Sequence, residues 1–187
     1  MNLKHQFQKQ VTLLEELIKS DDFFNQVEAA VKCITISLRH NYPLLICGNG
    51  GSASDALHIS GELVCQFLKK RQALNVICLN SNVAVLTAWS NDNEYDSVFA
   101  RQVEAHGQPS GVLWGISTSG NSKNIIQAIH TAKQLSMTTI TLTGKDGGQL
   151  ADLSDILIRV PSTSTPRIQE LHLPIYHYIC EQIEAQI

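Results

Sequence analysis

The sequence predicts an α/β fold in which a five-stranded parallel sheet is flanked by helices, and three observations predict it. Short apolar runs recur at about 43 to 47, 74 to 79, 111 to 116, 137 to 142 and 156 to 160, the pattern of buried strands. The segments between them are long enough to cross over a sheet and carry helical spacing, so the strands run parallel and are covered on both faces. Two runs end in turns with almost no side-chain bulk, Cys47-Gly48-Asn49-Gly50-Gly51-Ser52 and Ser117-Thr118-Ser119-Gly120-Asn121-Ser122, and each turn leads straight into a helix.

The elements follow in order. Helical spacing of Phe7, Val11, Leu14, Leu17 and Ile18, and then of Phe24, Val27, Ala30, Val31, Ile34 and Leu38, gives two amphipathic helices within residues 1–40. They offer a face for self-association. Residues 41–187 then form the α/β core, and no repeat, low-complexity tract or Pro/Gly linker divides the chain, so 1–187 is expected as one domain. With 187 residues, 43% of them hydrophobic, the chain can bury one core but not a nucleotide domain plus a substrate domain. The last helix opens at Ser164-Thr165-Pro166, a capping hydroxyl followed by proline in the first turn, and Pro174 should bend it.

Composition excludes several classes. A formal net charge of -3 and the lack of a long Lys/Arg run argue against nucleic acid, and Lys69-Lys70-Arg71 reads as a solvated helix end. No apolar run reaches membrane-spanning length, and Met1 to Glu16 lacks a signal-peptide apolar region. The five cysteines form no C-x-x-C pair and read as reduced, mostly buried thiols. A cytoplasmic protein with neither membrane nor nucleic-acid partner is expected.

The two Gly/Ser turns point to an anion. A helix start leaves backbone N–H groups unpaired at the positive end of its dipole, glycine allows close approach, and serine adds hydroxyl donors. Either turn alone could be a tight βα connection; two of the same chemistry at strand ends suggest two walls of one phosphate site. Gly48-x-Gly50-x-x-Ala53 fits a dinucleotide fingerprint formally, but the second strand ends at Leu79-Asn80-Ser81 without the acidic residue that ribose needs. Gly144-Lys145-Asp146 lacks the hydroxyl of an ATP-binding loop. No nucleotide cofactor is expected, and a small phosphorylated metabolite is the better ligand. His58 and Glu62, four apart, share a helix face, and Gln169 and His177, eight apart, lie nearly on one face after about 800 degrees of turn. A lone histidine on such a face also reads as a hydrogen-bonded core residue.

Cys47-Gly48-Asn49-Gly50-Gly51-Ser52, His58-x-x-x-Glu62-Leu63, Asn91-Asp92, Ile116 to Ser122, Leu142 to Gly148 and Arg167-Ile168-Gln169-Glu170-x-His172 together resemble the bacterial phosphoheptose isomerases, a branch of the sugar isomerase (SIS) domain superfamily. The resemblance runs from about residue 5 to the C-terminus. It implies a single SIS domain with a flavodoxin-like sandwich, a homotetramer with active sites at subunit boundaries, and conversion of sedoheptulose 7-phosphate to D-glycero-D-manno-heptose 7-phosphate for lipopolysaccharide or a related surface glycan. It further implies that Asn49, Gly50, Gly51, Ser52, Ser117, Thr118, Ser119 and Ser122 bind the substrate's phosphate end, that Asp92 and Gln169 orient sugar hydroxyls, and that Glu62 and His177 transfer protons. Some members hold a zinc ion through positions matching His58, Glu62, Gln169 and His177. The chain departs from the pattern at Gln66, where many members carry arginine, at Pro166, and at Asn93-Glu94. A sister branch resembling replication-initiator-associating proteins keeps the fold and tetramer without catalysis; Asn80 to Thr87 looks more like that branch, whereas the filled Glu62 and His177 positions favour an isomerase, on this or another sugar phosphate.

Overall fold

The computed structural model describes residues 2–187; Met1, first residue of the expected N-terminal segment, lies outside them. Two helices precede the sheet. α1 (Leu3–Ile18) is capped by Asn2, whose side-chain oxygen accepts from the His5 amide at 3.0 Å. α2 (Asp21–Arg39) is capped by Ser20 and has Asp21 and Asp22 in its first turn, where carboxylates meet the positive helix end. The chain then alternates β1 (Leu44–Gly48), α3 (Gly51–Val64), β2 (Val76–Cys78), α4 (Val83–Asp92), a 3-10 turn (Tyr95–Ser97), α5 (Val98–His106), β3 (Val112–Ser117), α6 (Lys123–Gln134), β4 (Thr138–Thr143), α7 (Leu150–Leu153), β5 (Ile156–Arg159) and α8 (Thr165–Gln186).

The strands pair in parallel in the order β2-β1-β3-β4-β5. This is the flavodoxin-like order, and its reversal lies between β1 and β3, the two strands that end in the Gly/Ser turns. Their register sets Gly48 against Ile116, so the turns leave the same sheet edge side by side.

Strand alternation feeds two cores. Leu44, Ile46, Trp114, Ile140 and Leu142 face a cluster with Ile34 of α2, Ile59 of α3 and Ile179 of α8. Leu45, Cys47 and Leu113 face Phe99 and Val103 of α5 and Ile125 and Ile129 of α6. Successive strand residues point to opposite faces, so β1 can be buried along its whole length only with helices on both sides. The five cysteines are free thiols, with Cys47, Cys78 and Cys180 buried and Cys65 exposed.

The strands fall within about two residues of the sequence expectation; β2 is shorter than its apolar run, covering only Val76–Cys78. α8 runs unbroken through Pro174. Packing of Leu171, Ile175 and Tyr176 on either side of the proline holds the helical path despite the missing hydrogen bond. Among the described residues no helix is long and apolar enough to cross a membrane.

Candidate active site

The two turns carry almost no side-chain bulk where they enter their helices. Gly50 takes a positive φ of 57° as N-cap of α3, and a Cβ on Gly48 would lie 2.3 Å from the Ser52 carbonyl oxygen, so only glycine lets β1 enter the helix this closely. Ser52 sits buried in the first turn of α3. In the second turn Ser117 is buried and its Oγ lies 2.9 Å from Ser122 Oγ, while Ser119 Oγ accepts from the Asn121 amide at 3.2 Å. Thr118 and Ser119 stand at the lip. The turns are tied together by Asn49 and Asn124, whose side-chain amides exchange two hydrogen bonds of 2.9 Å, and Tyr95 donates its hydroxyl to Asn49 Oδ1 at 3.1 Å. The Asn49 side chain is therefore a brace between the walls. Asn80 adds a second brace, pairing with both the N–H and C=O of Gly48.

α3 and α8 bring His58, Glu62 and His177 together, and place Gln169 at the start of α3. His58 Nε2 lies 3.0 Å from Glu62 Oε1, one helical turn away. The His177 ring stands 5.1 Å from the His58 ring, edge to face. Gln169 lies over Gly51: a Cβ there would come within 2.4 Å of Gln169 Nε2, so the bare turn makes room for this side chain. Tyr176 orients His58 from behind, its hydroxyl 3.1 Å from His58 Nδ1 and donating to Asp55 Oδ1 at 3.4 Å. Burial pushes the Asp55 carboxyl up, partly offset by Tyr176 and His58, and burial with nearby Asp55 pushes the Tyr176 hydroxyl up, so that the phenol stays protonated. Asp92 does not join the group in this chain; it is the exposed last residue of α4 and takes a hydrogen bond from Asn91 at 2.8 Å.

A SIS domain family model matches residues 6–144. The phosphoheptose isomerase of Crocosphaera subtropica is 46% identical over 99% of this chain and 94% of that relative. The chain belongs to the phosphoheptose isomerase family of SIS-domain proteins. Solved phosphoheptose isomerases share the architecture: that from Francisella tularensis has a TM-score of 0.93 at 34% identity, covering 98% of this chain and 96% of its own. The one from Neisseria gonorrhoeae gives 0.90 at 36%, covering 98% and 97%.

Within this family member, one sequence expectation is corrected and a site component is added. Lys69-Lys70-Arg71 is not a helix end, since α3 stops at Val64 and 65–75 is irregular. Nor is Arg71 solvated: its side chain is 8% exposed, with Nε 3.1 Å from Glu184 Oε1 and Nη2 donating to the Glu62 carbonyl at 2.9 Å. The segment folds back against α8 and buries the guanidinium, which periodicity cannot reveal. Arg71 is thus committed elsewhere and does not replace the arginine missing at Gln66. Phe67, unremarked in the sequence, packs its ring 5.6 Å from His177.

His172, on the same helix as Gln169, takes the bland role. It is fully buried, its Nε2 lies 3.3 Å from the Thr143 carbonyl and so carries the proton, and Nδ1 is buried without a partner. Burial pushes its pKa down to about 4, against the hydrogen bond to Thr143. Between pH 6.5 and about 4 the unfolded chain takes up a proton here that the folded chain refuses. Stability should therefore fall with pH through that window, by on the order of 3 kcal/mol at its acid end, and level below it. Thermal melts of wild type and His172→Gln from pH 7 to 4 check this: the variant should lose part of the acid slope, and equal slopes would show that another group sets it.

Proposed function

We propose that the chain is an aldose–ketose isomerase that converts sedoheptulose 7-phosphate to D-glycero-D-manno-heptose 7-phosphate. The observation carrying this reading is that Glu62 and His177, from different helices, flank His58 on α3, the helix that opens at one of the two glycine- and serine-lined turns. The relatives named above support the choice of sugar. With the phosphate gripped, a carboxylate removes a carbon-bound proton next to the carbonyl, and the C–H electron pair becomes the carbon–carbon double bond of an enediol as the carbonyl oxygen gains a proton. Returning a proton to the neighbouring carbon while the other hydroxyl loses one leaves the carbonyl moved by one position, with no net oxidation. We assign the carbon-bound proton to Glu62 and the oxygen-bound protons to His177. Incubation with heptose, hexose and pentose ketose phosphates, with isomers separated chromatographically, tests it. Turnover of the heptose phosphate above the others is expected, and tight association with a replication initiator without turnover of any sugar would overturn it.

We also propose that His58, Glu62, Gln169 and His177 hold one zinc ion per subunit. Among the described residues no three His, Cys, Asp or Glu side chains already stand close enough to bind a metal. The donor chemistry nonetheless fits: His177 Nε2 is buried without a partner, and the Tyr176 hydroxyl on His58 Nδ1 supplies the outer hydrogen bond that ligating histidines use. When bound, zinc would polarise a substrate oxygen. It would compete with the hydrogen bond between His58 and Glu62.

The assembly is proposed to be a homotetramer in the cytoplasm. Leu3, Phe7, Val11, Leu14 and Ile18 line one face of α1 at spacings of four, four, three and four, and are 38 to 69% exposed. His58, at the centre of the cluster, remains 42% exposed, which leaves a side of the site for a neighbouring subunit. Native mass spectrometry of protein purified without chelator or affinity tag reads both proposals: four subunits and four zinc ions are expected, with Val11→Glu falling to smaller species. A fully active metal-free tetramer would remove zinc from the mechanism, and an active monomer would remove the shared site.

A further inference from the structure

We propose that Glu184 and Arg71 are positioning residues that hold segment 65–75 as a strap across the proton-transfer pair, with Phe67 as the part that screens His177 from water. This rests on the isomerase reading. The segment leaves α3 directly after Val64 and has no regular structure until β2 begins at Val76. Such a stretch would ordinarily be mobile. Here Glu184, two residues from the end of α8, points a carboxylate that is only 2% exposed into its backbone. Its oxygens accept from three successive amides, Phe67 at 2.8 Å, Leu68 at 2.6 Å and Lys69 at 2.9 Å.

Consecutive N–H groups turned toward one point form an anion cradle, and this one is filled from within the chain. Burial works against the charge on Glu184, but the three amides and Arg71 outweigh it and hold the carboxyl below its usual pKa. Arg71 completes the clamp. Its Nε faces Glu184, Nη1 donates to the Gln72 carbonyl at 3.0 Å, and Nη2 reaches the carbonyl of Glu62 itself. One continuous set of polar contacts therefore runs from the end of α8, through the strap, to the backbone of the residue assigned as base.

The location gives the clamp a role beyond stability. Fixing the amide of Phe67 also fixes its ring against His177, whose Nε2 is buried and unpaired. In an enediol mechanism the proton taken by Glu62 exchanges with water between removal and return. His58, 3.0 Å from Glu62 and with its ring 5.1 Å from that of His177, is the route by which water admitted at His177 reaches it. A closed strap keeps that proton, and a loose one leaks it.

The test follows the reaction in D2O, using the full chain, sedoheptulose 7-phosphate and mass spectrometry of deuterium at the transferred position, beside hydrogen exchange of the backbone amides without substrate. In wild type, amides 67 to 69 should be protected and the product should retain most of the substrate hydrogen. Phe67→Ala should raise solvent deuterium in the product severalfold and lower kcat by about 10- to 100-fold with little change in KM, and Phe67→Leu should restore both. Glu184→Gln should expose amides 67 to 69 and repeat the Phe67→Ala effect without adding to it. Wild-type product already fully deuterated, an unchanged deuterium fraction in Phe67→Ala, or unprotected wild-type amides would each overturn the strap. A chain that turns over no sugar phosphate, with those amides protected, would instead overturn the isomerase reading and the screening role with it. If Glu184→Gln does not fold, Phe67→Ala and the wild-type exchange still decide.

Discussion

Glu62→Gln should lower turnover of sedoheptulose 7-phosphate by about two to four orders of magnitude, roughly 3 to 5 kcal/mol of transition-state stabilisation. The substitution is nearly isosteric, and a glutamine oxygen can still accept from His58 across the 3.0 Å contact within α3. The site is therefore kept in shape while its base is removed. Glu62 is only partly buried, with 22% of its side chain exposed, so little stability should be lost. KM should move much less than kcat, because the proposed phosphate grip lies on the β1–α3 and β3–α6 turns. Steady-state assays with a thermal melt on the same preparation check this. Wild-type turnover in the variant would remove Glu62 from the chemistry, and an equal fall in melting temperature would reassign it to structure.

Gly120→Ala should have the largest effect on folding. Gly120 has a φ of 65°, and a Cβ there would sit 1.9 Å from the Gly147 carbonyl oxygen and 2.8 Å from the Gly148 nitrogen. The left-handed backbone costs an alanine about 1–2 kcal/mol. Relieving contact with a backbone rather than a flexible side chain adds about 1–3 kcal/mol more. The two effects act together, since Gly120 also receives the Leu150 amide at its carbonyl, and Asn121 Oδ1 receives the Gln149 amide. The serine turn and the loop after β4 must part. A fall in melting temperature of roughly 5–15 °C is expected for a chain of this size, with weakened binding of sugar phosphate or inorganic phosphate. Gly61→Ala is the control, because a Cβ at Gly61 meets nothing within 4 Å. Equal melting of the Gly120 variant and wild type would mean that the two loops do not lock each other.

Much of this site was readable because its parts are local. His58 and Glu62 are one helical turn apart, and each Gly/Ser turn is a run of six or so residues whose composition alone implies a helix start open to an anion. Gln169 and His177 could be placed on one face by counting, and the helix keeps that face through Pro174. What escaped was pairing over distance. Tyr176 and His58 are 118 residues apart, Asn49 and Asn124 are 75, and Lys69 and Glu184 are 115. Nothing in the local pattern around Arg71 distinguishes a buried guanidinium from a solvated one. Its partner is a lone carboxylate near the end of the chain.

By itself the sequence determined the strand and helix alternation, the parallel sheet, the two glycine- and serine-lined turns and the pairing of His58 with Glu62 on one helix face. These depend on side-chain period and backbone freedom, which act within a few residues. Only the tertiary structure decided that α8 docks its Glu184 end against the segment after α3, that Tyr176 backs His58, and that Asn49 serves as a brace. Those contacts arise from which helix faces meet when both sides of the sheet are covered, and the free energy of that docking is shared over the whole core.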